Sequence, residues 1–252
     1  MKLHIVSVLV TLILGLQPLK AEEPRWSVSL STDYMSQYVG FNNGGVFYDS
    51  PMFQTDLYVG HKSGFHADIW WATGLNPNLI DSGFDDEIDV NLGFGREISC
   101  FGQKIVFDLG VGYWDMFKVL GSTRNDIIHP YVEIGYPVAV STNLVFTPYL
   151  KWDGYLLPFE TDFEEGTFMT IGTKYRWDFM KKFSLTGLTA IGHDDGGFGF
   201  QSGFIWKLYG SLEYTVSKHL KIRPLQIQYY VPIDVSDRKP QWVIGTGVTF
   251  SL

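Results

Sequence analysis

Apolar and polar residues alternate along most of the chain with a period of two. Between Ile105 and Tyr113, for example, every odd position is apolar, whereas the even positions include Asp108 and two glycines. Successive side chains of a strand point to opposite faces, so this pattern predicts a β-strand with one apolar face. No stretch of comparable length has the period of an amphipathic helix. The predicted strands, about twelve in number, cover 25–38, 52–61, 65–75, 86–96, 103–114, 127–136, 144–154, 167–177, 183–193, 204–216, 220–231 and 241–252.

The connections between these segments alternate between long and short. The short ones lie near 62–64, 97–102, 137–143, 178–182 and 217–219, and the long ones near 40–51, 76–85, 115–126, 155–166, 194–203 and 232–240. Outer-membrane barrels place short turns on the periplasmic rim and longer loops outside the cell. Most segments also have the length of about 9–11 residues or slightly more that a tilted membrane strand needs.

The pattern therefore predicts an all-β fold, a single transmembrane antiparallel up-and-down β-barrel of about 12 strands. Ten or fourteen strands remain open, and so does a soluble barrel whose apolar face points inward. Pro130, Pro148 and Pro224 fall inside predicted strands. Because proline cannot donate a ladder hydrogen bond, we expect bulges or late strand starts at these positions.

The N-terminal segment has the plan of a secretory signal peptide. A basic start at Lys2 precedes an apolar run from Ile5 to Leu19, and a small residue, Ala21, precedes an acidic stretch. We expect residues 1–21 to be cleaved and residues 22–252 to form the barrel in the cell outer membrane. An N-terminal membrane anchor is the alternative, although the apolar run is short for a span.

Composition changes this picture in three ways. Aromatic residues make up 16% of the chain, consistent with the aromatic girdles of a membrane barrel. The net charge is -8, and it becomes -10 without residues 1–21 because Lys+Arg falls from 19 to 17 while Asp+Glu stays at 27. An acidic chain argues against a nucleic-acid partner. The single cysteine, Cys100, excludes an intramolecular disulfide, and no cofactor or metal motif is present.

If the apolar face meets lipid, the opposite face of each strand lines the lumen. The excess of acidic over basic side chains there favours cations. The alternative is a self-neutralising network of acids and bases that plugs a narrow barrel. The candidate lumen-lining residues are Asp33, Asp56, Asp68, Asp89, Asp108, Glu133, Lys151, Asp153, Lys174, Arg176, Lys207 and Glu213.

An enzyme is the remaining class to consider, because some barrels of this size are outer-membrane phospholipases. Such a site needs a serine and a histidine together, and the candidates here are His129, His193 and Ser202. Each histidine is more simply explained as a rim residue, and no hydrolase motif occurs. We therefore predict that the protein is not an enzyme.

Two parts of the sequence resemble known proteins. The final strand has Phe250 two residues before an apolar Leu252, which resembles the C-terminal signal read by the barrel-assembly machinery. The stretches STDYMSQYVG at 31–40, QTDL at 54–57 and SGFHADIW at 63–70 resemble the opening of the TorF-like family of bacterial outer-membrane porins. This resemblance covers about the first third of the chain after residue 21, and it implies a porin-type barrel without catalytic residues.

These observations predict a porin-like outer-membrane channel for passive diffusion of small polar solutes, with a mild preference for cations. Its expected partners are outer-membrane lipid and lipopolysaccharide, the barrel-assembly machinery and the solutes themselves. The alternative is a non-conducting structural or adhesin-type barrel that displays its extracellular loops. An outer-membrane lipid hydrolase is the third possibility.

Overall fold

The computed structural model describes residues 25–40, 42–76, 86–100, 102–116 and 125–252. The predicted signal peptide lies outside these residues. Among them, no helix is long and apolar enough to cross a membrane. The strands are β1 (Trp26–Met35), β2 (Tyr38–Val39), β3 (Val46–Tyr48), β4 (Met52–His61), β5 (Phe65–Gly74), β6 (Asp86–Cys100), β7 (Gln103–Asp115), β8 (Ile127–Gly135), β9 (Val138–Ser141), β10 (Leu144–Tyr155), β11 (Gly166–Met180), β12 (Phe183–Asp194), β13 (Gly203–Ser217), β14 (Leu220–Pro232) and β15 (Gln241–Ser251), with one short 3-10 turn at Gly197–Gly199.

Twelve of these strands form a closed ring. Each pairs antiparallel with the next, from β4 through β8 and from β10 through β15, and β1 pairs with both β4 and β15. The short strand β9 continues the wall of β8 beside β10. The strands β2 and β3 pair only with each other and stand apart from the ring. The predicted twelve-stranded up-and-down barrel is thus confirmed.

The apolar face of the ring points outward. Ile171 is 67% exposed, Phe65 64% and Leu92 57%, although all three are apolar and lie within wall strands. A soluble barrel would bury such residues in its core, so the soluble alternative is wrong. An apolar outer surface of this kind matches the hydrocarbon of a bilayer, and the fold is that of an outer-membrane β-barrel.

Short and long connections lie on opposite ends of the barrel. We call the end with the turns near 62–64, 181–182 and 218–219 the short-turn rim, and the other end the long-loop rim. Three predicted strand ends differ by three or four residues: β6 ends at Cys100 and not at 96, β11 at Met180 and not at 177, and β1 at Met35 and not at 38. The chain leaves the wall there, since Tyr38 already belongs to the separate β2–β3 hairpin.

The three strand prolines all lie at interruptions of the ladder, as expected. Pro224 occupies a bulge where the register between β14 and β15 shifts. Pro148 faces the break between β8 and β9, and its carbonyl accepts the Tyr136 N–H at 2.9 Å. Pro130 falls between the β8–β10 ladder, which ends at the Tyr131 pair, and an isolated bridge at Ile128.

Because the apolar face points outward, an arginine should destabilise the protein much more at one position of β6 than at its neighbour. Leu92→Arg places a charge against lipid near the middle of the strand, and we expect it to lower the free energy of unfolding by about 2–4 kcal/mol. Asn91→Arg is the control, because Asn91 faces inward and already donates to Asp68. Urea unfolding from lipid vesicles measures both. Equal losses for the two variants would contradict the assigned faces.

Candidate functional site

The inner face of the barrel is polar and carries the candidate residues. The alternation of side chains along each strand and the pairing register place all twelve of them on the inner face. Their part in solute passage stays a prediction. Across the ladder, Asp33 stands opposite Gln54, and Asp108 stands opposite Glu133. Inward side chains of separate strands therefore meet inside the ring, where their charges decide what the lumen attracts.

Four of the eight candidate acids have a lysine or arginine partner. The clearest pair joins Arg223 to Asp33, with Nη2 and Oδ1 2.8 Å apart, although the two residues are 190 positions apart in the chain. Lys151 Nζ lies 2.7 Å from Asp153 Oδ1. The full set of pairs is Asp33 with Arg223, Glu133 with Lys174, Asp153 with Lys151, and Glu213 with both Arg176 and Lys221.

The other four acids form what we call the acidic wall: Asp56, Asp68, Asp89 and Asp108, one on each of the consecutive strands β4, β5, β6 and β7. Within the described ranges, none of them forms an ion pair with a lysine or an arginine. Asp68 accepts a hydrogen bond from Asn91 at 2.8 Å, and Asp108 accepts one from Tyr131 at 3.0 Å. One side of the lumen is therefore neutralised and the other carries excess negative charge.

Lys207, the remaining candidate, is buried on the side of the ring away from the acidic wall. Its ammonium lies 4.7 Å from the ring centroid of Phe168 on β11. A cation over an aromatic face is attracted by the negative potential of the ring. This position adds a positive charge to the part of the inner surface where the other bases already lie.

The β2–β3 segment, which we call the inserted hairpin, crosses the long-loop rim. Tyr38 donates a hydrogen bond to Glu87 Oε1 on β6 at 3.3 Å, and Asn42 Nδ2 donates to the Tyr155 hydroxyl on β10 at 2.5 Å. Strand β10 is six strands from β1 around a ring of twelve, so the hairpin reaches the opposite wall. Val39 packs in a buried apolar cluster with residues of β13 and β14.

A buried arginine holds the inserted hairpin in place. Arg238 Nη1 donates to the backbone carbonyl of Asn43 at 2.8 Å and to Asp194 Oδ2 at 2.8 Å. The side chain is 2% exposed, and its guanidinium also stacks 5.1 Å from the ring centroid of Phe200. Three loops of the same rim are tied together by this one side chain.

The described residues line several cavities inside the barrel, of which three matter here. A cavity of about 620 Å³ opens at the short-turn rim beside His66 and Asp108. A cavity of about 250 Å³ lies deeper, between Asp56 and Arg223. The third, of about 270 Å³, lies beneath the inserted hairpin, and we call it the chamber. The described interior is therefore not completely filled by side chains.

Three residues of the interior were missed by the sequence analysis. Arg223 lies next to the Pro224 bulge, where simple alternation fails, and the proline was the signal available. Glu87 begins β6 and faces inward at 0% exposure. Arg238 comes from a loop with no periodic pattern, so no sequence signal marked it.

The hydrolase candidates do not come together. His129 is not a rim residue as predicted, because it is buried on the inner face with Nε2 2.9 Å from Asp153 Oδ1. His193 contacts the Phe204 ring, and the Ser202 hydroxyl donates to the Asp194 carbonyl. In the part of the chain that the structure covers, no serine hydrogen bonds to either histidine, and no group of three or more potential metal ligands converges.

Known outer-membrane channels share this fold. The NanC porin superposes with a TM-score of 0.55 at 14% identity, over 89% of this chain and 100% of its own. The KdgM porin gives 0.55 at 13% identity, over 89% and 99%, and it has also been solved in complex with disordered oligogalacturonate. An outer membrane channel from Pseudomonas putida F1 gives 0.56 at 7% identity, over 94% and 100%.

Neither a protein-family model nor a curated protein sequence matches the chain. The resemblance to the TorF-like family therefore stays a prediction. The likeness to the solved channels shows the barrel fold, and the interior geometry has to carry any statement about function.

Arg238 yields the next testable prediction. Arg238→Ala leaves Asp194 buried without its partner, and breaking a buried ion pair typically costs about 3–5 kcal/mol. We expect chymotrypsin to cut within residues 36–51 at least about tenfold faster than in the unmodified protein, since the open state becomes more populated. Lys239→Ala removes an exposed neighbouring charge as the control. Unchanged cleavage in Arg238→Ala would show that the hairpin is held by other contacts.

Proposed function

We propose that this protein is an outer-membrane channel for passive diffusion of small polar solutes, with a mild preference for cations. The acidic wall carries the proposal. Its four carboxylates lie on four consecutive strands and have no lysine or arginine partner in the described residues, although Asp108 Oδ1 lies 3.2 Å from His66 Nε2. Four bases of the opposite side, Lys151, Lys174, Arg176 and Arg223, each face a carboxylate of their own. A row of acids without lysine or arginine partners raises the local concentration of cations.

The cavities and the structural neighbours support a channel. A solute moving along the barrel axis would pass the cavity at the short-turn rim, the central cavity and the chamber. Porins with the same fold include one solved with oligogalacturonate, an acidic saccharide. The acidic wall would repel such an anion, so we expect a neutral or cationic solute here.

The exterior of the barrel suits the partners expected from the sequence. Its apolar face would contact outer-membrane lipid and lipopolysaccharide, and the final strand, β15, would be read by the barrel-assembly machinery. Cleavage after residue 21 and membership of the TorF-like family belong to the same proposal. Because the candidate serine and histidines are not hydrogen bonded to one another, the interior gives a lipid hydrolase no support.

A second candidate function rests on the inserted hairpin. It reaches from β1 to the opposite wall at β10, and Arg238 anchors it. A barrel whose mouth stays closed would conduct nothing and would serve as a structural or adhesin-type protein that displays its loops. The two functions differ in conductance, which makes them separable by one method.

Planar-bilayer recording of the refolded protein tests the channel. We expect discrete conductance steps and, in a KCl gradient, a reversal potential of the sign given by K⁺ permeating faster than Cl⁻. The double variant Asp89→Asn with Asp108→Asn should move the reversal potential toward zero, because two charges of the acidic wall are lost. Glu164→Gln, which removes an exposed loop carboxylate, is the control. Anion preference in the unmodified protein would refute the acidic-wall argument.

The same recording tests the closed barrel. In a variant whose residues 39–47 are replaced by Gly-Ser-Gly, the segment across the mouth is gone. If the hairpin closes the barrel, the unmodified protein should show no steps and the variant should conduct. Equal conductance in both proteins would mean that the hairpin leaves a path, and the display function would then lose its support.

A further inference from the structure

Six aromatic side chains line the chamber beneath the inserted hairpin, together with polar amide side chains from Gln37, Asn42, Asn43, Gln54 and Gln228. The aromatic rings follow one another around it with ring centroids 4.9–5.7 Å apart. Three come from wall strands and three from loops of the long-loop rim. In order, the rings belong to Trp70, Tyr38, Phe47, Phe198, Tyr155 and Trp114.

Asp89 closes this series of rings. It pairs across the ladder with Trp70 on β5 and with Trp114 on β7, so its carboxylate lies between the first and the last ring. Asp89 is 8% exposed, and its Oδ1 has no hydrogen-bond partner among the described residues. Glu87 lies two positions away on the same inner face, fully buried, with Tyr38 as its donor.

The side chains of Asp89 and Glu87 hydrogen bond to each other, and these two carboxyl groups lack a basic partner. No lysine, arginine or histidine lines the chamber, and neither Asp89 nor Glu87 forms an ion pair with a described basic residue. Burying a carboxylate is unfavourable unless it is paired. A cation in the chamber would supply the missing charge, and the faces of tryptophan, tyrosine and phenylalanine attract cations as well.

We propose that the chamber binds a small organic cation of the alkylammonium class, with Asp89 as its counter-ion and the six rings as its walls. A divalent metal suits this site poorly, because Ca²⁺ and Mg²⁺ favour several carboxylate ligands, and no group of three or more histidine, cysteine, aspartate or glutamate side chains converges among the described residues. The enclosed space of about 270 Å³ admits only a small molecule. Cages of aromatic rings are a recurring solution for binding substituted ammonium groups.

Phe198 is held over the chamber at a conformational cost. Its φ is +64°, a left-handed value that is uncommon for a bulky residue. Its ring contacts Phe47 and Tyr155, two other walls of the chamber. Strained backbone of this kind persists only where the surrounding contacts enforce it, and it concentrates at ligand-binding sites.

The binding step would place the ligand on the path through the barrel. Because Tyr38 and Phe47 belong to the inserted hairpin, occupancy of the chamber would also strengthen the hairpin's contact with the wall. A role in transport rests on the proposed function above, whereas binding itself does not depend on conduction. The two can therefore fail separately.

Choline is a suitable probe, and 3,3-dimethylbutan-1-ol is its neutral counterpart of similar shape. We expect saturable choline binding to the refolded full chain, followed by tryptophan fluorescence and calorimetry at matched ionic strength. Choline should bind at least about tenfold tighter than the neutral alcohol. Asp89→Asn and Trp114→Leu should each weaken binding by about tenfold or more. Glu97→Gln, which removes an exposed carboxylate paired with Lys104 near the short-turn rim, should leave the Kd within about twofold.

The comparison of choline with the neutral alcohol needs no variant, so it holds even if a substituted protein fails to refold. Absence of saturable choline binding overturns the proposal, as does equal binding of the alcohol. Saturable binding of glucose without choline binding overturns it in favour of a neutral sugar. If the protein binds choline but does not conduct, the channel is refuted and the cation site is supported. If it conducts but does not bind choline, the cation site is refuted and the channel is supported.

Discussion

The structure depends on one constraint, which is that backbone N–H and C=O groups within hydrocarbon must find partners inside the protein. The chain meets it by pairing β1 with β15, so that the sheet has no free edge. A closed sheet has an outer and an inner face. Because successive side chains of a strand alternate between these faces, apolar residues contact lipid and polar residues point inside. Proline fits only where the ladder is already interrupted, and the bulge at Pro224 shows how the wall absorbs one.

The same closure concentrates charged side chains in a narrow space. Ion pairs neutralise these charges on one side of the interior but not on the other. Basic residues on β10, β11 and β14 each find a carboxylate, which makes that side of the lumen close to neutral. The strands β4 to β7 carry aspartates without such partners. A fully paired interior would have supported a plug, and a fully acidic one a strong cation filter. The observed arrangement lies between these limits, and the proposed mild preference for cations rests on it.

The long-loop rim adds a second level of organisation to the barrel. The inserted hairpin would be an unremarkable polar loop if it stayed outside, but Arg238 and the apolar contacts of Val39 hold it across the mouth. Its aromatic residues then complete an enclosure begun by Trp70 and Trp114 on the wall. The ligand-sized chamber is thus a consequence of the path that this loop takes.

Local periodicity was enough to determine the strands, their faces and the inward candidates, because side-chain direction in a strand depends only on position parity. The predicted segment 52–61 coincides with β4, and most other ends agree within three residues. Only the tertiary structure decided which charges meet. The Asp33–Arg223 pair joins residues 190 positions apart in the chain, the His129–Asp153 pair joins two neighbouring strands, and the Arg238 anchor joins three loops. Such contacts follow from register around the closed ring and from the path of aperiodic loops, neither of which a local pattern encodes.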